Sequence, residues 1–242
     1  MTVPRGAPNA APGAVRETVT AFAAIGVTAF TTTRHAGDFG LAGDVPPSNP
    51  DRWLSLAASL LPATAGMVSA VQVHGAAIAE HTAPWTGLRR LEGFDAHVLR
   101  TPGAAVVTIA DCVPVFVAHP SGDVAVVHAG WRGVAGNILP AVIERLVGAW
   151  RDRADVLVHL GPAICGRCYE VGPDVYERLT GWQTIRHRHV DLRALLSEQA
   201  KEAGITHVTA SPSCTRCDND NFFSHRAGDA ARQVAVVVSA HA

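Results

Sequence analysis

Lysine is almost missing from this chain. Of 20 basic residues only Lys201 is not arginine, and against 21 acidic residues the formal net charge is −1. So balanced a charge carries neither the basic footprint of a nucleic-acid binder nor an acidic tail. Long apolar runs are missing too. No stretch approaches the ~18 uninterrupted apolar residues of a membrane span. The opening MTVPRGAPNAAPGAVRE has no apolar h-region, so it does not read as a secretory signal. The expectation is a soluble, cytoplasmic protein with no membrane or nucleic-acid partner. The motifs GK[ST], G-x-G-x-x-G, H-E-x-x-H and G-x-S-x-G are absent as well, which removes the usual sequence signs of a P-loop, a dinucleotide fold, a zincin or a serine hydrolase.

What is present is a globular composition, 48% hydrophobic and 17% charged over 242 residues, enough to bury one large core. Residues 1–14, rich in Ala, Pro and Gly, read as a flexible leader, and 15–242 as a single domain. Apolar and β-branched runs predict strands at 27–33, 67–73, 104–110, 114–118, 123–128, 155–160, 206–210 and 233–239. Helical spacing covers 51–61, 137–150 and 191–203, while 34–50 has loop-forming density. Some strands adjoin and others are separated by helices. The fold class expected is α+β, a layered α/β arrangement of mixed β-sheets flanked by helices.

Three of the apolar runs end on metal-ligand residue types: SAVQVH on His74, VVTIADC on Cys112 and VAVVH on His128. Strands of one sheet that finish at the same edge would bring the three together. Two imidazoles and a thiolate match a catalytic zinc site, which keeps a fourth position for water or reactant. Each residue alone also fits an ordinary buried thiol or a hydrogen-bonded histidine; their shared position suggests the common site. Asp111 adjoins Cys112, and neighbours on a regular strand face opposite ways. It would therefore orient a ligand histidine from behind, act as a base if the strand bends, or simply end the strand.

The segment AGWRGVAGN (129–137) is a glycine-rich turn opening a helix, with free N–H groups and Arg132 suited to an anion. A plain tight turn is the alternative, and Arg34 is a second candidate anion contact. Two C-x-x-C pairs, Cys165/Cys168 and Cys214/Cys217, would make a closed four-thiolate zinc site if joined. However, 45 residues separate them, where zinc ribbons use about 15–20, so spacing leaves their role unassigned.

In order along the chain, QVHG (72–75), ADCVPVF (110–116), VVHAGWRG (126–133), GPAICGRCYEVG (161–172) and CTRCDNDNFFSHR (214–226) resemble the multicopper polyphenol oxidase (laccase-like) family, which includes zinc-containing purine nucleoside phosphorylases. The resemblance implies a zinc held by His74, Cys112 and His128, with copper as the alternative. It implies phosphorolysis of adenosine, inosine, guanosine or methylthioadenosine, with adenosine deamination as a second activity. Small molecules, a purine nucleoside and phosphate, are then the partners. Cys112, Asp111 and His74 are the expected catalytic residues, and Arg34 and Arg132 the expected phosphate or substrate contacts. Other readings are a peptidoglycan-precursor amide hydrolase using Cys112 or zinc-bound water, a copper phenol oxidase, and a binding module braced by metal. Two departures stand out. The family's R-x-G-G-x-S and N-L-G segments are replaced by RHAGDFGLAGD from Arg34, and its G-x-C-C-Y-E-V reads CGRCYEV, so only Cys168 matches.

Overall fold

A computed structural model describes residues 13–40, 50–60, 64, 66–148 and 151–239. Most of the expected leader (1–12), much of the 34–50 loop (41–49) and the ends of two expected helices (61 and 149–150) lie outside the described residues. The strands are β1 (Arg16–Thr18), β2 (Thr28–Thr32), β3 (Gly66–Val71), β4 (Ile78–His81), β5 (Gly87–Glu92), β6 (Ala96–Leu99) and β7 (Ala104–Ile109). They continue with β8 (Val113–Ala118), β9 (Val124–Ala129), β10 (Leu157–Leu160), β11 (Glu170–Val171), β12 (Arg188–His189), β13 (His207–Ala210) and β14 (Gln233–Val238). The helices are α1 (Pro50–Ser59), α2 (Trp131–Ala135), α3 (Ile138–Val147), α4 (Pro173–Thr180) and α5 (Leu192–Glu202).

Two six-stranded mixed sheets, ordered β1-β2-β14-β7-β3-β5 and β13-β10-β8-β9-β6-β4, form the centre. Side-chain alternation shows how they stack. Ala105, Val107 and Ile109 of β7 pack with Phe116 of β8 and Val124 and Val126 of β9, filling the space between the sheets. Their strand neighbours Ala104 and Val106 face Trp53 and Leu56 of α1. On the other side, Val113, Val115, Ala125 and Val127 meet Leu139, Val142 and Leu146 of α3 and Leu196 of α5. The order of layers is therefore helix, sheet, sheet, helices. Because both faces of each sheet are covered, the central strands read as unbroken apolar runs rather than alternating ones.

The expected strands are there, with ends shifted by one or two residues. Missing from the sequence reading are β1, β4, β5, β6, β11 and β12. β5 (GLRRLE) is exposed or half-buried along its whole length, so no hydrophobic pattern marks it. The glycine-rich turn at 129–137 does not open one helix: α2 ends at Gly136, and Asn137 at φ 55° starts α3 in a new direction. No helix among the described residues is long and apolar enough to cross a membrane.

Candidate metal centre and cavity

The three predicted ligands do meet, but not from one sheet. β3 and β7 lie parallel in the first sheet and finish at the same edge, each three residues short of its ligand. His74 follows β3, and Cys112 sits in the turn that carries the chain from β7 across to β8 of the second sheet. His128 lies on β9 itself. It has the parity of Val124 and Val126, which point between the sheets, so its ring enters the same gap at its open end. The donor atoms of His74, Cys112 and His128 all lie within 4.8 Å of one another, and the two imidazoles meet edge to face at 4.7 Å between centroids.

Local chemistry fixes each ligand. The Gln72 amide acts as one more rung between β3 and β7. Its Nε2 donates to Thr108 O at 2.8 Å, and its Oε1 accepts from Thr108 N at 2.7 Å. That holds the QVHG segment beside the ADC turn. His74 adopts φ 58°, a left-handed conformation uncommon outside glycine. It is held there by the Asp95 carboxylate, which accepts from His74 N at 3.0 Å and Gly75 N at 2.7 Å. The same carboxylate lies 2.8 Å from His128 Nδ1, leaving Nε2 of His128 for the Cys112 side. Gly130 closes the other flank: a Cβ there would stand 3.2 Å from Cys112 Sγ and 3.5 Å from His74 Cδ2.

The electrostatics follow. Burial works against a Cys112 thiolate, but the charge of His128 and hydrogen bonds from His128 and His74 outweigh it and lower the thiol to about 6. Burial likewise disfavours a charged His128, yet the Cys112 thiolate and the Asp95 hydrogen bond raise it to about 9. Asp95 is held below the usual carboxylate range because its bonds to His128, Gly75 and His74 outweigh its own desolvation. Without metal the site is therefore a thiolate–imidazolium pair.

The donor set fits a zinc ion. Bonds of about 2.0–2.1 Å to nitrogen and 2.3 Å to sulfur place the donors of one tetrahedral ion about 3.3–3.6 Å apart, a small side-chain adjustment from the arrangement found. Three donors leave one corner, and it faces a cavity of about 580 Å³ lined by His74, Cys112 and His128 together with Asp111, Trp131, Tyr169 and Gln72. Three arginines, Arg90, Arg226 and Arg232, also line it. That volume suits a small organic ligand. Burial and the nearby Cys112 charge push the Tyr169 phenol up to about 12, so it stays a neutral hydrogen-bond donor.

The other expected site residues are placed as follows. Asp111 lines the cavity at φ 83°, so the strand does break there. Its Oδ1 accepts from Thr215 Oγ1 at 2.6 Å and its Oδ2 from Arg226 N at 2.7 Å. The orienting of a ligand histidine, one role foreseen for Asp111, is performed by Asp95. Arg132 stacks on Trp131 at 4.4 Å and borders a smaller adjoining pocket with His74 and Cys112. Arg34 bonds Asp229 at 3.0 Å and lies over Phe223 at 4.8 Å, bracing the loop that leads into β14. α2 begins at Gly130 beside the ligands but spans only Trp131–Ala135.

Sequence reasoning missed Asp95 and the cavity arginines. A carboxylate was to be sought, since a ligating histidine needs a partner for its second nitrogen. Yet Asp95 stands 33 residues from His128 and just before the unforeseen strand β6.

The profile of the multi-copper polyphenol oxidoreductase laccase family matches residues 32–240. A purine nucleoside phosphorylase of Streptomyces coelicolor is 35% identical over 199 residues, covering 77% of this chain and 81% of that protein. An adenosine deaminase from an unknown prokaryotic organism is 40% identical over 153 residues, covering 56% of this chain and 58% of that protein. Among solved structures, the Bacillus licheniformis hypothetical protein YfiH superposes with a TM-score of 0.81 at 24% identity, over 95% of this chain and 97% of that one. At that identity the likeness speaks for the fold. With most of its length matched by the family profile, this chain belongs to the multi-copper polyphenol oxidoreductase laccase family.

Proposed function

We propose that the chain is a zinc-dependent enzyme of purine nucleosides, a phosphorylase that also deaminates adenosine. The observation that carries this reading is the three-donor cluster of His74, Cys112 and His128, whose missing fourth ligand faces a nucleoside-sized cavity. The names of the Streptomyces and unknown-prokaryote relatives support it. A zinc ion held there would supply Lewis acidity at its open corner. Copper fits the same residues less well, since soft copper centres of this kind carry a further axial donor.

The chain's own groups divide the remaining work. Trp131 and Tyr169 offer aromatic faces for a flat base, and the neutral Tyr169 hydroxyl donates to it. Arg226 and Arg232, with Arg90 across the cavity, hold phosphate near the sugar by charge-assisted hydrogen bonds. Arg132 contacts substrate from the adjoining pocket. In phosphorolysis a phosphate oxygen bonds the anomeric carbon as the bond to the base breaks, and the departing base takes up one proton. In deamination a water adds to the purine ring carbon and ammonia leaves. Asp111 moves the proton in each case: both its oxygens are anchored, and each keeps a second lone pair.

Zinc-loaded protein given adenosine and phosphate should yield adenine with ribose-1-phosphate, and inosine with ammonia. Absence of all four products from metal-loaded protein would refute the reading, as would an unchanged rate in Cys112→Ala.

One observation favours a second reading. Cys112, His128 and Asp95 also stand in thiol–imidazole–carboxylate order, with the thiol lowered to about 6, as an amide hydrolase acting on a peptidoglycan precursor would need. A chelator separates the two. Metal chemistry is lost on chelation, whereas a thiol nucleophile survives it and is stopped by alkylation.

A further inference from the structure

We infer that Cys165, Cys168, Cys214 and Cys217 form a second metal centre, a closed tetrahedral zinc site that fastens together two loops framing the cavity. The fold explains why the wide sequence gap does not matter. β10 and β13 are parallel neighbours, with Leu160 opposite Ala210, so both strands send their chains out at the same end. Cys165 follows β10 by five residues and Cys214 follows β13 by four. The intervening 45 residues hold β11, α4, β12, α5 and β13, and β13 brings the chain back to the starting point.

The thiols are arranged around a point. All four sulfurs lie within 4.8 Å of one another, and Cys168 Sγ is 3.4 Å from Cys217 Sγ. Sulfurs about 2.3 Å from one zinc sit about 3.8 Å from each other, whereas a disulfide needs about 2.05 Å. Each C-x-x-C is wound into a turn, with Cys168 N donating to Cys165 O at 2.9 Å and Asp218 N to Cys214 O at 2.9 Å. Backbone N–H groups also aim at sulfur. Cys165 N and Cys217 N donate to Cys214 Sγ at 3.2 and 3.4 Å, which fixes that sulfur inward between the two turns.

Charge agrees as well. Four thiolates on one divalent ion leave a net −2, and each C-x-x-C places an arginine, Arg167 or Arg216, before its second cysteine. The Arg216 guanidinium reaches across to Cys168 O at 3.3 Å. Zinc is the ion for this donor set, and four protein donors leave no corner for a reactant. The role is therefore mechanical. Thr215, inside the second C-x-x-C, bonds Asp111, and Tyr169 follows Cys168 directly into the cavity wall.

The inference is independent of the nucleoside reading, and Cys112→Ala separates them by removing the other centre. Cys112→Ala protein, purified under a phosphine reductant with no added metal, should contain one zinc per chain, and Cys112→Ala/Cys217→Ser none. Should the double variant not fold, the single variant still answers. Its four remaining thiols should resist alkylation until a chelator strips the zinc, then all react, and cobalt in zinc's place should show the intense absorption of a four-thiolate ion. No zinc in Cys112→Ala, iron in its place, or four thiols that alkylate at once with no chelator present would each overturn the assignment.

Discussion

The two cysteine-bearing clusters differ in the number of donors and in what lies beside them, the respect in which a catalytic metal centre differs from a structural one. Around Cys112 there are three donors, two of them imidazoles, and the vacant side opens on a cavity. Around Cys214 there are four thiols, in turns that follow two neighbouring strands. The first is built from residues that also serve other demands. His74 adopts a left-handed backbone conformation, and Asp95 is a buried carboxylate committed to three partners. Such local cost is typical of sites whose geometry serves chemistry. The second is assembled from two short turns whose own backbone bonds are satisfied. Thr215 links them, bonding Asp111 from within the second cluster.

Breaking that comparison at its strongest point means removing one thiol from each side. Cys112→Ala should abolish turnover while leaving the fold and its thermal transition near those of protein that carries zinc at the four cysteines alone. Cys217→Ser should lower the transition temperature and leave measurable turnover. If instead Cys217→Ser silenced the enzyme as completely as Cys112→Ala, with metal still bound at His74 and His128, the division of labour would be wrong.

Asp95→Asn comes next. The amide cannot accept from His74 N and Gly75 N while also serving His128 Nδ1–H, so metal affinity at the three-donor centre should fall about 10- to 100-fold. Zinc bound by the four cysteines should be unaffected in the same sample, as competition with a calibrated chelator would show. Equal weakening at both centres would mean that Asp95 acts through global stability.

Acidity sharpens the contrast. Ligands bind metal deprotonated. Between pH 6 and 9 the Cys112 thiol is already ionised, at about 6, and His128 still holds its extra proton, at about 9. Binding in that window releases one proton from this pair, so affinity should rise about tenfold per pH unit. Below the window the pair releases two and the dependence steepens; above it the dependence flattens. A flat profile from pH 6 to 9, measured by competition, would contradict the pairing of thiolate with imidazolium.

Arg226→Ala keeps the backbone N–H that holds Asp111 but deletes a cavity guanidinium. KM for phosphate should rise about tenfold or more, consistent with losing a charged hydrogen bond worth about 1.5–3 kcal/mol, while kcat for adenosine deamination changes little. The smallest effect is expected of Thr215→Val. Losing one of the two bonds to Asp111 should cost about 1 kcal/mol, roughly fivefold in kcat, with both metal sites full.

What the sequence disclosed follows the same physics. Runs such as AAVVTI, VPVFVA and VAVVHA are apolar on both faces because helices and a second sheet cover them, so they were readable as strands and their chain-ward ends as ligand positions. The sheet to which each belonged was not readable, since crossing from β7 to β8 leaves no mark in three residues of turn. Strand β5 was silent because its side chains are exposed or only half-buried. Asp95 was silent because its meaning lies in a pairing between β6 and β9 that no local pattern announces. Sequence spacing leaves the role of the four cysteines unassigned, because the rule behind it is drawn from short-range pairs. Parallel pairing of β10 with β13 replaces that spacing by a spatial one.

The central claim is that residues leaving two different sheets hold one divalent cation with a corner open to reactant. Anomalous diffraction at the zinc edge, from crystals of protein purified without added metal, tests it most directly. The expected map has a peak within about 2.0–2.3 Å of His74, Cys112 and His128 donors, with its fourth side toward Tyr169 and the arginines. No peak between those three residues in zinc-soaked crystals, or a peak there closed by a fourth protein ligand, would contradict it.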